Sequence, residues 1–180
     1  MPRSKCATHN NMKKCLFNLL GDQQLVTTLL YRGSDDGWEL EDFHSRCDSK
    51  GATITLLQVK DGDCIGGYTK AQWSSPSSPE FCGDDEAFLF NLTCNRHFPS
   101  RKTGNDINCL RDTGPCFNGG SEGELDVVDS PFNGDGKCFS SVNNPGFEIP
   151  QDGNGLNMLT NQQDGNFTIT EIEVWEVTYE

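Results

Sequence analysis

Thr53-Ile54-Thr55-Leu56-Leu57-Gln58-Val59, followed by Asp61-Gly62-Asp63 and then by Cys64-Ile65-Gly66-Gly67-Tyr68-Thr69, is the stretch that decides the fold class. The first run is rich in β-formers, Asp61-Gly62-Asp63 supplies turn chemistry and the second run resumes as a strand, so the segment predicts a hairpin. Gly66 and Gly67 have no side chain to pack. Either another group approaches the backbone closely there, or the strand bends at a bulge. Glu86 to Leu92 predicts a further, largely buried strand, and Ser74 to Pro79 a loop.

Towards the amino terminus, Leu40, Phe43 and Cys47 recur at i, i+3 and i+7, with Gly51 beyond the last turn, and predict a short amphipathic helix. Leu25 to Tyr31 reads as a segment that begins helical and ends as a strand, broken at Arg32-Gly33-Ser34. Residues 1–25 read as an N-terminal extension in which Cys15-Leu16-Phe17 and Leu19-Leu20 form one helical face that docks on the domain. Towards the carboxyl terminus, residues 95–160 carry short apolar pieces such as Leu125, Val127 and Val128 amid Gly, Asn and Asp, which predicts short strands joined by long loops.

The tail from Phe167 to Tyr179 has strong β character and a fault in its alternation. Phe167 and Ile169 share a face, the apolar parity switches to Ile172 and Val174, and it returns at Trp175, Val177 and Tyr179. An unbroken strand would bury Glu171 and Glu173 on the Phe167 side, which is costly for unpaired carboxylates. A bulge or bend is therefore expected in this strand.

With 180 residues, the chain has room for one well-filled core and not for two ordinary domains. Nineteen Gly and eight Pro, scattered among Asn and Asp, mark frequent turns and argue against an all-helical fold. The formal net charge is −13, with acidic groups at Asp35, Asp36, Glu39, Glu41 and Asp42, at Asp84, Asp85 and Glu86, and from Glu122 to Asp129. Nucleic acid is expected to be repelled, because phosphate binding needs a basic stripe. Arg96, His97, Arg101 and Lys102 are the nearest candidate, read as an exposed loop. The acidic field either steers the protein to a basic partner surface or only keeps it in solution.

No stretch approaches the roughly twenty apolar residues of a membrane-spanning helix, and the amino terminus lacks a basic region followed by an apolar core. The chain is expected to be soluble and intracellular. Nine cysteines, none in a C-x-x-C pair, argue against a zinc cage and a complete disulfide framework. They are read as reduced thiols, several of them small core residues. The sequons at Asn91 and Asn166 are expected to be unmodified, since both sit in strands.

The order of segments resembles the TLDc domain family. The resemblance is carried by Leu29-Leu30-Tyr31-Arg32-Gly33-Ser34 with Asp36-Gly37, by Asp42-Phe43-His44 with Cys47-Asp48, and by Lys50-Gly51-Ala52-Thr53. It continues through Gly66-Gly67-Tyr68-Thr69 with Trp73, Ala87-Phe88-Leu89-Phe90 with Leu92, Phe117-Asn118-Gly119-Gly120, and Ile172-Glu173-Val174-Trp175-Glu176-Val177. It covers residues 26–180. The segment Asp129 to Gly136 is unusually loop-like beside the family pattern, and residues 1–25 match none of it.

This resemblance implies an α+β fold, a two-layer antiparallel β-sandwich flanked by short helices. It implies a structural role for Arg32, Gly33, Asp42, Phe43, Cys47, Gly66, Gly67, Tyr68, Trp73, Phe88, Phe90, Gly119, Gly120, Glu173 and Trp175. It further implies oxidative-stress resistance and binding to the vacuolar-type proton ATPase, with no established catalysis.

Any general base or metal ligand drawn from histidine must be His9, His44 or His97. His44 and Cys47 sit three residues apart, the spacing of a Cys-His nucleophile pair, and are read instead as a structural pair. Asp129 to Gly136 has a faint likeness to a calcium loop, but Pro131 holds the third position and Ser140 the twelfth, where a bidentate Glu belongs. Neither glycine pair precedes the Lys-Ser/Thr step of a phosphate loop.

No catalytic residue, metal or cofactor is expected. The leading expectation is a protein-interaction module that docks on a larger assembly: the proton ATPase, or a cytoskeletal or ciliary structure. The alternative is a redox-protective protein in which a cysteine consumes oxidant.

Overall fold

The computed structural model describes residues 25–117, 125–128, 138–139, 146–148, 159–160 and 166–179, together with residues 5, 6, 14, 18 and 20. Its strands are β1 (Leu25–Arg32), β2 (Thr53–Val59), β3 (Cys64–Thr69), β4 (Glu80–Cys82), β5 (Phe88–Asn91), β6 (Arg96–Pro99), β7 (Ile107–Cys109), β8 (Thr113–Phe117), β9 (Leu125–Val128), β10 (Cys138–Phe139), β11 (Asn166–Phe167) and β12 (Ile169–Tyr179). Two short helices, α1 (Gly33–Asp36) and α2 (Leu40–Cys47), follow β1.

The strands form two six-stranded sheets, in the orders β1-β12-β2-β3-β5-β6 and β11-β10-β9-β8-β7-β4, and all strand pairs are antiparallel. The protein is an α+β sandwich.

The hairpin of β2 and β3 forms with unbroken register, Thr53 opposite Thr69 through Gln58 opposite Cys64. Both strands are buried on both faces. Leu57, Val59, Ile65 and Leu89 look inward and meet Ile107, Phe117 and Leu125 of the second sheet, with Phe43 and Trp73 in the same core. Ile54, Leu56, Tyr68, Phe88, Phe90, Trp175 and Val177 look outward and form a second core, joined by Cys6 and partly buried Leu20 of the N-terminal stretch. Lys14, Asn18 and Leu20 have helical backbone.

Gly66 and Gly67 divide between the two faces. A Cβ on Gly66 would lie 1.9 Å from the Thr55 carbonyl oxygen and 2.8 Å from the Phe90 ring, and one on Gly67 would lie 2.5 Å from the Phe117 ring. Close approach, not a bulge, explains the pair.

The bulge expected in the last strand lies between Ile169 and Glu171, against β2. It shifts parity once, so that Ile169, Ile172 and Val174 all face the inter-sheet core while Trp175 and Val177 face the outer one. The further return of parity read from the sequence needs no second bulge in β12, because both faces of the strand are apolar there.

Two expectations need correction. Leu25 to Tyr31 is strand throughout, paired with β12 from Leu25 opposite Tyr179 to Arg32 opposite Glu173 with one register shift between Leu29 and Tyr31, so pairing overrides its helical start. Arg96 and His97 belong to β6, opposite Asn91 and Phe90, and of the basic group Arg101 and Lys102 alone lie on an exposed loop. The helix α2 ends as expected ahead of Gly51, its last turn closed by Asp48 with Ser49 at φ 59°. Gly119, Gly120, His9, Cys15 and the segment Asp129 to Gly136 lie outside the described residues.

Alanine at Gly66 has no room beside the Thr55 backbone and is expected to cost about 3 kcal/mol in urea unfolding, the upper part of the usual overpacking range. Alanine at Gly51, whose nearest neighbour is Glu176 Oε1 at 4.0 Å, is expected to change stability by less than about 0.5 kcal/mol.

Candidate functional site: a polar notch and an open cleft

β1 ends at Arg32, and the chain turns at once into α1. Gly33 makes this possible: it is buried, and a Cβ there would lie 1.8 Å from the Trp38 ring. Arg32 thereby stands directly across from Glu173 of β12. Its Nε donates to Glu173 Oε1 at 2.9 Å and its Nη1 to Asp35 Oδ2 at 2.8 Å. Trp175 Nε1 donates to Glu173 Oε2 at 3.1 Å.

Glu171, two residues back on the same face, accepts the Ser34 hydroxyl at 2.5 Å and the Ser34 N–H at 3.1 Å. The Arg32, Glu171 and Glu173 side chains are 7%, 7% and 0% exposed. The bulge thus does carry both carboxylates away from the inter-sheet core, but not into water. They are buried on the outer face, where each is hydrogen-bonded, which is the condition for tolerating such burial. Lys5 closes the notch from above, its ammonium 2.7 Å from Asp35 Oδ1.

Hydrogen bonds from Arg32 and then Lys5 hold the Asp35 carboxyl down at about 2. Burial disfavours the charge on Arg32, but its bonds to Asp35 and Glu173 outweigh that and hold its pKa above the ordinary guanidinium value.

The helix α2 presents the second candidate region. A capping box opens it: the Glu39 side chain accepts from the Asp42 backbone N–H, and Asp42 Oδ2 accepts the Glu39 N–H at 3.1 Å. Its buried residues Phe43 and Cys47 face the core, with Phe43 edge-on to Tyr31 and Trp73 at ring separations of 6.0 Å. His44 instead bridges elements: Nδ1 lies 2.9 Å from Asp48 Oδ1 and Nε2 3.0 Å from the Thr113 carbonyl oxygen. Both ring nitrogens are engaged, and Cys47 is fully buried, its thiol pushed up by that burial. The pair makes no nucleophile and base. Beside His44, Glu39, Glu41, Arg111 and Asp112 line an open cleft of about 580 Å³.

The remaining described residues singled out by sequence, Asp42 of the capping box apart, pack the two cores. Trp73 donates to Thr53 Oγ1 at 2.9 Å in the inner core. Tyr68 stacks on Phe88 at 5.1 Å and Phe90 tilts against Phe88 at 6.2 Å in the outer one. The structure therefore unites Arg32, Gly33, Glu173 and Trp175 in one notch, sets Asp42 in the cap of α2 and places the other described residues in the packing.

Lys5, Ser34 and Glu171 were missed as members of the notch. The fault in the alternation pointed to Glu171; nothing in the sequence pointed to Lys5, 168 positions from its partner.

Cys6, Cys47, Cys64, Cys109 and Cys116 are buried, and Cys94 alone of the described cysteine side chains is exposed. Asn91 is buried and donates to the Leu159 carbonyl at 2.8 Å. Among the described residues no group of three or more His, Cys, Asp or Glu is placed to hold a metal ion, and no helix is long and apolar enough to cross a membrane.

Compared with known proteins, residues 2–178 match the family model described as TLDc domain. The match takes in nearly all of residues 1–25, which in sequence resemble none of the family pattern, as well as the stretch from residue 26 where the resemblance is visible. No curated protein matches the chain.

Replacing Arg32 by Ala leaves Glu173 buried beside an empty space and is expected to cost about 3–5 kcal/mol in urea unfolding. Asp35 has a folded-state pKa below its unfolded one, so the stability it adds is complete above the ordinary carboxylate range and is lost as pH falls towards about 2. D35N should flatten that acid limb in thermal melts, an effect softened by solvent because Asp35 is half exposed.

Proposed function

Because the chain belongs to the TLDc domain family, we propose that it works as a non-enzymatic protein-interaction module. In this reading it is an accessory or regulatory subunit that docks on a larger assembly such as the vacuolar-type proton ATPase, or on a cytoskeletal or ciliary structure.

The observation that carries the proposal is β4. It is the last strand of the second sheet, its Phe81 is 45% exposed, and Glu80 beside it is exposed as well. An edge strand offers backbone donors and acceptors to an incoming strand, and an exposed aromatic beside them supplies an anchor. A net charge of −13 favours a basic partner surface and speeds encounter with it. The engaged ring nitrogens of His44 and the buried thiol of Cys47 support the non-enzymatic side of the reading.

A second reading follows from Cys94, the exposed thiol: an oxidative-stress protective protein in which that cysteine consumes oxidant, the thiolate being taken to a sulfenic acid by peroxide.

Affinity purification of the tagged chain at endogenous level, with quantitative mass spectrometry, tests the first reading. Stoichiometric recovery of one assembly is expected, falling at least about tenfold for F81D, as for loss of an interface hot spot, while the melting temperature stays unchanged. A chain recovered alone that turns over peroxide, with turnover lost in C94S, would replace the docking module by the redox reading.

A further inference from the structure

The notch at the end of β1 is filled by a residue of this same chain. The Lys5 backbone N–H donates to Glu173 Oε1 at 2.7 Å, and its ammonium donates to Asp35 Oδ1 at 2.7 Å and to Ser34 Oγ at 2.6 Å. It also stands 3.9 Å from Glu171 Oε2. The next residue, Cys6, is 6% exposed in the outer core with Leu56 and Trp175, and its Sγ lies 3.8 Å from the Leu56 carbonyl oxygen.

Two consecutive residues therefore fill two adjoining features of the first sheet. One is a polar notch that accepts an ammonium and a backbone N–H. The other is an apolar hole that accepts a small side chain.

The two partners in this contact differ in how firmly they are built. Arg32, Glu171 and Glu173 are at least nine-tenths buried and fixed by β1, α1 and β12, whereas the Lys5 side chain is 47% exposed. Among the described residues, the notch without Lys5 brings the carboxylates of Asp35, Glu171 and Glu173 to the guanidinium of Arg32, an excess of negative charge that favours a cation. Exposed ion pairs are weak and screened, while preformed sites bind at low ordering cost. The Lys5 ammonium is thus the exchangeable part of this contact, half-exposed on a rigid, charge-matched site, while Cys6 beside it is buried and would have to be replaced by a residue of similar kind.

We propose that this notch is a docking site for a lysine-bearing segment of a partner protein, and that Lys5 and Cys6 occupy it in cis as a displaceable stand-in. The proposal rests on the reading of the protein as a docking module and adds the chemistry of the partner. That partner carries a segment with a lysine followed by a small apolar or thiol-bearing residue.

The test uses the full chain and a fluorescein-labelled peptide with the sequence of residues 1–12, under reducing conditions, followed by fluorescence anisotropy. The tethered copy competes at an effective concentration on the order of millimolar, so the wild-type chain should bind the peptide weakly. The K5A chain should bind it at least tenfold tighter, and a peptide with Lys5→Ala should bind neither chain. Urea unfolding of the K5A chain checks that it is folded.

Equal affinity of the wild-type and K5A chains, or undiminished binding of the Lys5→Ala peptide, would overturn the proposal. The assay is independent of docking at β4. Loss of the co-purified assembly in F81D, with peptide binding unaffected by Lys5, would keep the module and remove this site; the reverse pattern would keep the site and move the docking face.

Discussion

A β-sheet whose two faces are both apolar has to be covered twice, and the first sheet of this protein is such a sheet. Ile54 and Leu56 face one way and Leu57 and Val59 the other, all within β2. Burying each such side chain contributes on the order of 2 kcal/mol, so leaving either face in water would be expensive. The second sheet covers the inner face. Cys6 and Leu20 of the N-terminal stretch pack on the outer one. The positions of Gly66 and Gly67, one facing each layer, are a consequence: β3 approaches Phe90 on one side and Phe117 on the other more closely than a Cβ permits.

The same constraint places the charges. β12 runs between β1 and β2, and its Glu171 and Glu173 are buried. One bulge keeps Glu171 and Glu173 out of the inter-sheet core, and the outer face then answers them with Arg32, Ser34, Trp175 and Lys5. A comparable arrangement closes the other end of the sandwich. There Asp84 accepts from Thr69 Oγ1 at 2.7 Å and from the Lys70 N–H at 2.5 Å, and its own N–H donates to Asp106 Oδ2 at 2.9 Å. Ser100 donates to Asp106 in turn. Both sets use polar groups to lock loops to strands.

Segments whose stability is local were legible. The β2-β3 hairpin, the amphipathic α2 and the Phe88-Leu89-Phe90 strand are each specified by a short apolar pattern with turn or capping residues at its ends. Leu25 to Tyr31 was misread at its start because its local pattern is ambiguous and its pairing partner lies about 150 residues away, at Tyr179 to Val174. Arg96 and His97 were read as a loop because charge in a short segment resembles solvated chain. Their strand character comes from β5, to which Asn91 and Phe90 bind them.

The same division holds for the notch. Repeated glutamates in a strand of otherwise apolar residues gave away the bulge, since period 2 is strict and a fault in it has to be resolved by geometry. The residue pattern by itself determined short strands with a β2-β3 hairpin, a net negative charge and a terminal strand that had to break its own alternation, and the family resemblance implied the antiparallel sandwich. Only the tertiary structure decided where the displaced carboxylates would go, which arginine and serine would meet them, and that Lys5 would close the site. Ion pairs between distant segments leave no periodic trace in the chain; they exist because packing brings the ends of β1 and β12 together.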